Sequence, residues 1–93
     1  MSRMSDEEIT AGLELLPGWE RSHDAIVKEF RLDNFRDSVA FVVRLSYEAE
    51  AANHHPDLDI RWNRVLVSLS THSEGGITAK DLELASAVDG LAW

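Results

Sequence analysis

The sequence predicts an α+β fold in which three helices pack on one face of a four-stranded antiparallel sheet, in the order α-β-β-α-β-β-α. Two pairs of segments alternate apolar and polar residues, and a short turn joins each pair, as in β-hairpins. Helical segments with start signals precede, separate and follow these pairs. Because 93 residues suffice for one compact domain and not for two, residues 1–93 are predicted to form a single domain.

The first helix is predicted to begin at the capping box Ser5-Asp6-Glu7-Glu8. Met4 and Ile9 can pack on each other as the hydrophobic staple that often accompanies such a box. Gly12 or Pro17-Gly18 is predicted to end this helix.

The first hairpin is predicted between Trp19 and Leu32. Its first strand is Trp19–Arg21, and Ser22-His23-Asp24 supplies the turn. The second strand alternates apolar and charged residues, which indicates one buried and one exposed face. The apolar face holds Ile26, Phe30 and Leu32, and the charged face holds Glu29 and Arg31.

The longest helix is predicted from Phe35 to about Ala52, after an N-cap at Asp33-Asn34. The apolar run from Val39 to Val43 wraps more than one helical turn, so one stripe facing a sheet cannot bury all of it. We therefore expect a second surface, from another subunit, to cover the remainder.

The second hairpin shows the clearest alternation in the chain. Its first strand has an apolar face of Leu58, Ile60 and Trp62 and a polar face of Asp57, Asp59 and Arg61. After a turn at Trp62-Asn63-Arg64, the next strand has a core face of Val65, Val67, Leu69 and Thr71 and an opposite face of Leu66, Ser68, Ser70 and His72. Glu74-Gly75-Gly76 is predicted to break this strand.

The last helix is predicted to begin at a second capping box, Thr78-Ala79-Lys80-Asp81, with a staple between Ile77 and Leu82. Its apolar stripe consists of Leu84, Ala85, Val88 and Leu91.

The composition excludes several classes of protein. Nine basic and seventeen acidic residues give a net charge of -8, which repels nucleic acid and anionic lipid surfaces. The absence of cysteine excludes disulfides, thiolate nucleophiles and cysteine-based zinc sites. Because no apolar run is long enough for a membrane span and the N-terminus lacks the apolar core of a signal peptide, we expect a cytoplasmic protein.

Three of the four histidines lie where predicted elements end, His54-His55 after the long helix and His72 after the last strand. Such positions often carry functional groups on a rigid scaffold. A structural alternative is that His54 and His55 satisfy the last helix carbonyls, with Glu50 as an i, i+4 partner of His54. A metal site of Glu50, His54 and His72 is a further alternative, disfavoured because adjacent histidines diverge and no HExxH element is present. His23 lies in a turn with no obvious partner.

Together these residues resemble the signature of the pterin-4a-carbinolamine dehydratase family, which consists of an acidic residue, three intervening residues, His-His-Pro, an aromatic, a later histidine and an aspartate. The matching residues are Glu50–Pro56, Trp62, Ser70-Thr71-His72 and Asp81. The resemblance continues through Pro17-Gly18-Trp19, the segment from Phe30 to Phe35 and the helix from Leu82 to Ala87. It therefore covers nearly the whole chain.

The resemblance implies an enzyme that removes the 4a-hydroxyl of a 4a-hydroxytetrahydropterin together with the N5 proton. The product is a quinonoid dihydropterin, which a reductase recycles, and no metal or redox cofactor is required. Elimination needs one acid and one base, and imidazole can serve as either near neutral pH. By resemblance His54 and His72 supply these two groups, in an order left open, and His55 assists or orients.

The resemblance also implies residues that contact the pterin substrate: Glu50, Asn53, Pro56, Ser70, Thr71 and, as an aromatic wall, Trp19. Two signature residues have a sufficient structural explanation. Trp62 shares the face of Leu58 and Ile60 and is predicted to lie mainly in the core. Asp81 occupies position N3 of the last capping box.

Members of the family form dimers or tetramers, which agrees with the self-association expected from the long helix. Animal members also act as dimerisation cofactors of a homeodomain transcription factor. A second hypothesis is therefore an interaction module, for which nothing in the sequence identifies a protein partner.

Overall fold

A computed structural model describes residues 2–93 and contains, within that range, four strands and three α-helices in the predicted order. The elements are α1 (Asp6–Leu13), β1 (Glu20–Ser22), β2 (Ala25–Arg31), α2 (Phe35–Ala52), β3 (Asp57–Arg61), β4 (Arg64–Leu69) and α3 (Ala79–Asp89), with one 3₁₀ turn at His72–Glu74. The α+β fold class is confirmed.

The four strands form one antiparallel sheet in the order β1-β2-β4-β3. Each hairpin pairs consecutive strands, and β2 and β4 join the two hairpins at the centre of the sheet. The central strands alternate buried and exposed residues, which leaves one face of the sheet to the helices and the other to solvent. Both β1 and β3 are edge strands.

The core lies between the sheet and the helices. Phe30 of β2 packs on Phe41 of α2 with ring centroids 4.8 Å apart, and the edge of Trp19 meets Phe30 at 6.0 Å. The other fully or nearly buried apolar residues are Ile9, Leu16, Ile26, Leu45, Ala49, Val65, Val67, Leu69, Ile77, Leu84, Ala85 and Val88.

Local start signals predicted the helices well. Both capping boxes form, at Ser5 with Glu8 and at Thr78 with Asp81. The side chain of Asn34 caps α2 by accepting from the backbone N–H of Asp37 at 2.8 Å. The bounds of α2 agree with the prediction, and α1 ends at Leu13, close to Gly12.

Two predictions about the strands are wrong at their ends. The strand predicted to reach Thr71 and His72 ends at Leu69, because β2 provides no partner beyond Ile26 and β3 none beyond Asp57. The first strand begins at Glu20, one residue after Trp19.

The predicted core position of Trp62 is also wrong, since its side chain is 70% exposed. Arg61 and Arg64 are the last pair between β3 and β4, so Trp62 lies in the two-residue tip of the hairpin. Its φ of 50° turns it out of the alternation that places Leu58 and Ile60 on one face.

An apolar stripe along α2 is exposed in the isolated chain. It recurs every four residues and consists of Phe35, Val39, Val43 and Tyr47, each between 40% and 75% exposed. Leu58 and Ile60 of the edge strand β3 are also partly exposed. Within residues 2–93, no helix has the length and apolar character needed to cross a membrane.

The capping box of α1 gives a prediction about pH. The backbone N–H of Ser5 donates to Glu8 Oε1 at 2.8 Å, and the Glu8 N–H donates to Ser5 Oγ at 3.2 Å. The hydrogen bonds from Ser5, the backbone one first, lower the pKa of Glu8 below its ordinary value of 4.5. The stabilisation from ionised Glu8 is therefore present above pH 4.5 and is lost as the pH falls through the lower, folded-state pKa.

We expect urea unfolding of Glu8→Gln and wild type to differ by a constant free energy from neutral pH down to about pH 4.5 and to converge in more acidic solution. Replacing the capping side chain, as in Ser5→Ala, should move the pKa of Glu8 part of the way back. An NMR titration that places the Glu8 pKa at or above 4.5 in wild type would contradict the prediction.

Candidate active site

The end of α2 directs two consecutive histidines into different environments. Asn53 adopts the left-handed conformation, with φ 49° and ψ 46°, and its N–H donates to Glu50 O at 3.2 Å. The N–H of His54 donates to Ala49 O at 3.0 Å. This pair of bonds is the Schellman motif, in which asparagine is tolerated at the left-handed position and a proline often follows. The side chain of His54 then points into the protein and that of His55 points out.

The structural alternative required the side chains of His54 and His55 to bond the last carbonyls of the helix. Neither side chain does so. His54 contacts Asp81, and it is His55 that pairs with Glu50. The predicted i, i+4 contact between Glu50 and His54 is therefore wrong. The left-handed turn at Asn53 is the reason, because it carries His54 away from the helix face on which Glu50 lies.

Asp81 accepts hydrogen bonds from three directions although its side chain has no solvent exposure. Its Oδ2 accepts from the hydroxyl of Thr71 and from the backbone N–H of Thr78, both at 2.9 Å. Its Oδ1 lies 2.5 Å from Nε2 of His54, whose side chain is nearly buried. A buried carboxylate needs donors in place of the water it has lost, and these contacts supply them.

The direction of these bonds fixes the proton on His54. An ionised carboxylate can only accept, so Nε2 of His54 donates to Asp81 and carries the proton of the neutral ring. Within residues 2–93, Nδ1 has no hydrogen-bond partner, and no buried unpaired side-chain nitrogen or oxygen is present. Nδ1 is therefore accessible at the protein surface, with a lone pair that can accept a proton from a ligand.

His72 lies next to this network and is exposed at the start of the 3₁₀ turn. Thr71, one residue earlier, forms an isolated bridge with Gly76. Gly75 has a φ of 70°, and a Cβ on Gly76 would lie 2.5 Å from Cδ of Arg3, so both positions favour glycine. His72 directly follows Thr71 in the chain, so its backbone adjoins the residue that contacts Asp81.

His55 forms the other side of the site. Its Nε2 contacts Glu50 Oε2, and both side chains are exposed. They border a mainly apolar cavity of about 270 Å³ between α2 and β3. The other lining residues are Val42, Leu45, Ser46, Ala49, Pro56 and Leu58.

The structure places the other candidate residues as follows. Pro56 is half-buried in that cavity, Ser70 is half-buried beside Thr71, and Asn53 is exposed at the helix end. Trp19 is only 4% exposed, and its indole N–H donates to Asp89 Oδ1 at 3.0 Å. Since Asp89 and Asp81 lie at opposite ends of α3, Trp19 packs in the core away from His54 and offers little surface as an aromatic wall. His23 lies exposed in the β1–β2 turn.

Among the described residues, no group of three His, Asp or Glu side chains lies close enough to hold a metal ion. The carboxylate and imidazole groups instead pair with each other, as Asp81 with His54 and Glu50 with His55. Such pairs suit proton transfer and the orientation of a ring.

Comparison with known proteins identifies the family of the chain. The sequence model described as Pterin 4 alpha carbinolamine dehydratase matches residues 2–91. The chain belongs to this family. A relative from Roseiflexus sp. (strain RS-1) is 50% identical over 88 residues, and the match covers 95% of each chain. Another from Chloroflexus aggregans is 50% identical over 90 residues and covers 96% of each. Both are provisionally named pterin-4-alpha-carbinolamine dehydratases.

Two solved structures share the fold. A protein from Brucella melitensis, described as a transcriptional coactivator/pterin dehydratase, superposes with a TM-score of 0.95 at 32% identity, covering 99% of this chain and 100% of that one. A pterin dehydratase-like protein described as a RuBisCO assembly factor of the alpha-carboxysome has a TM-score of 0.65 at 21% identity, covering 80% and 86%. The second shows a common fold alone.

For this pterin dehydratase family member, one contact of the candidate site was not predicted from the sequence. Asp81 has the predicted capping role, and the same carboxylate also holds His54. The signal available was the signature itself, which includes an aspartate after the histidines. Because the capping role at N3 already explained Asp81, its contact with His54 was not predicted.

The contact gives a prediction about the state of the ring. In Asp81→Asn the amide oxygen can still accept from Thr71 and Thr78, but its NH₂ group then faces His54. Nε2 must accept from it, so the proton of the neutral ring is expected to move to Nδ1. Nitrogen-15 NMR of the imidazole should show this exchange of the two ring nitrogens.

The matched control is Asp33→Asn, an exposed position before α2, which should leave the His54 spectrum unchanged. If the neutral ring of wild type already carries its proton on Nδ1, the assignment of Asp81 as the acceptor is wrong.

Proposed function

We propose that this protein catalyses the dehydration of a 4a-hydroxytetrahydropterin to the quinonoid dihydropterin, and that histidines perform the proton transfers. The observation that carries the proposal is the anchored ring of His54, which is held through Nε2 by a buried carboxylate and leaves Nδ1 for a ligand. Family membership supports the substrate class. The product supports tetrahydropterin recycling when a reductase consumes it.

The elimination breaks the C4a–O bond and the N5–H bond. One group must donate a proton to the departing hydroxyl, which leaves as water, and another must accept the N5 proton. His54 through Nδ1 and the exposed His72 are proposed for these two transfers. Imidazole is suited to both roles, because it can donate or accept a proton near neutral pH.

The remaining site residues are proposed to bind or orient the substrate. His55, paired with Glu50, has the geometry of a second oriented ring at the edge of the cavity. Pro56 supplies an apolar surface in the same cavity. Asn53 directly precedes His54 in the chain, and Ser70 lies two positions before His72. No step of this scheme requires a metal or a redox cofactor.

The decisive assay generates the carbinolamine with an aromatic amino-acid hydroxylase and follows its decay by absorbance. Wild type should accelerate the decay above the spontaneous rate. Since general acid or base catalysis typically contributes roughly 10²- to 10⁴-fold, His54→Ala and His72→Ala should each lose activity by about that factor. His23→Ala, which changes an exposed histidine in a turn, is the control and should remain active.

Circular dichroism should show that the inactive variants remain folded. An active double variant lacking both His54 and His72 would disprove the role of histidine, and a wild type that does not accelerate decay would disprove the dehydratase activity itself.

We also propose that the chain associates with copies of itself through the α2 stripe, as a dimer or a tetramer. The stripe of Phe35, Val39, Val43 and Tyr47 is an exposed apolar surface on an otherwise acidic protein. Burial of such a surface is favourable at about 25 cal/mol per Å². A small domain also gains stability by covering it.

Sedimentation velocity should therefore show an oligomer for wild type and a smaller species for Val43→Glu, which places a charge in the stripe. Leu15→Glu is the control, because Leu15 is an apolar residue outside the stripe that is already 83% exposed. A monomeric wild type at high protein concentration would contradict self-association.

A monomer would favour the second candidate, an interaction module in which a different protein covers the stripe. The description of the Brucella relative as a transcriptional coactivator gives that candidate its support. The cytoplasmic location stays a prediction from the sequence.

A further inference from the structure

We propose that Thr71 is a positioning residue for the reaction, one that immobilises Asp81 behind His54 rather than contacting the pterin with its hydroxyl. The inference rests on the proposed dehydratase function for its effect on turnover. Its structural part, a link from Thr71 through Asp81 to His54, is independent of that function.

The hydroxyl of Thr71 has no proton left to donate to a ligand. It donates its one proton to Asp81 Oδ2 at 2.9 Å. Its oxygen lies 2.8 Å from the hydroxyl of Thr78, which must then be the donor of that pair. Thr71 is only 6% exposed and Thr78 is fully buried, so both bonds lie away from solvent.

The hydroxyl hydrogen bonds run in one direction: Thr78 donates to Thr71, and Thr71 donates to Asp81. The backbone N–H of Lys80 donates to Thr78 Oγ1 at 3.3 Å, which leaves the Thr78 proton free to point at Thr71. Each hydroxyl therefore accepts one bond and donates the next, and Asp81 receives the last of them. Without the Thr71 hydroxyl, Asp81 Oδ2 keeps only the bond from the Thr78 backbone, and Thr78 loses its acceptor.

The backbone of Thr71 is itself firmly placed. Its N–H donates to Gly76 O at 2.8 Å, and its carbonyl accepts from the N–H groups of Glu74 and Gly76 at 3.0 and 3.3 Å. The residue that orients His54 through its side chain thus also begins the turn that presents His72. A shift of Thr71 would therefore affect both its side-chain contact with Asp81 and the backbone that leads into His72.

The test compares Thr71→Val, which keeps the shape and removes the hydroxyl, with Thr71→Ser, which keeps the hydroxyl. Since a hydrogen bond to a charged group contributes on the order of 1.5–3 kcal/mol, kcat of Thr71→Val should fall by roughly ten-fold or more, with KM little changed. Thr71→Ser should recover most of that loss. A rise in KM at unchanged kcat would instead mark Thr71 as a substrate contact and overturn the proposal.

A measurement that does not depend on enzyme activity separates this proposal from the dehydratase function. The exchange of the His54 Nε2 proton with solvent, followed by the width of its proton NMR line, should become faster in Thr71→Val and remain slow in Thr71→Ser. Ile9→Val, a buried change in α1 that lowers stability without touching the network, is the control and should not accelerate exchange.

If wild type proves inactive but Thr71→Val accelerates exchange, the proposed function fails while the link through Asp81 stands. Unchanged exchange in Thr71→Val would overturn the inference, whatever the activity. The same holds if Thr71→Ser loses as much kcat as Thr71→Val, because the hydroxyl would then not be the group that matters.

Discussion

The buried carboxylate of Asp81 links three parts of the chain, one of them 27 positions away. Removing a charge from water is costly unless donors replace the lost solvent, and each donor here comes from a different place. The end of α2 contributes His54, the turn after β4 contributes Thr71, and the start of α3 contributes the Thr78 backbone. The carboxylate also lies in the first turn of α3, where the helix dipole favours negative charge.

The same side chain therefore serves the fold and also holds a residue of the candidate site. As the N3 residue of a capping box, Asp81 satisfies a backbone donor that the helix leaves unpaired. As the partner of His54, it determines which ring nitrogen faces outward. A substitution at this position changes stability and protonation together, so activity measurements on it need a structural measurement beside them.

Local patterns predicted the elements well because capping boxes and alternation depend on residues close in sequence. The bounds of α2 followed from Asn34 and from the uninterrupted stretch to Ala52. The exposure of Trp62 was not predicted, because alternation does not show where a hairpin turns and a left-handed residue breaks the pattern. The last residue of β4 was also not predicted, because a strand ends where its neighbours stop pairing, and that depends on the whole sheet.

The sequence named candidate site residues but did not predict how they pair. The histidines and Glu50 were selected from their positions and the family signature, and one alternative paired Glu50 with His54, whereas the structure pairs it with His55. The partner of each ring depends on the handedness of one residue, Asn53, and on a contact between residues 27 positions apart, His54 and Asp81. Neither is visible in spacing along the chain.

The left-handed turn at Asn53 also has a consequence for how this segment can vary. Two neighbouring residues of identical chemistry receive opposite surroundings solely from their distance to the helix end. Insertion of one residue between Asn53 and His54 would move His54 to the exposed position that His55 now has. The inserted residue would then face Asp81. The number of residues between the helix end and Pro56 therefore decides which histidine contacts Asp81. The two histidines differ only in their distance from Asn53.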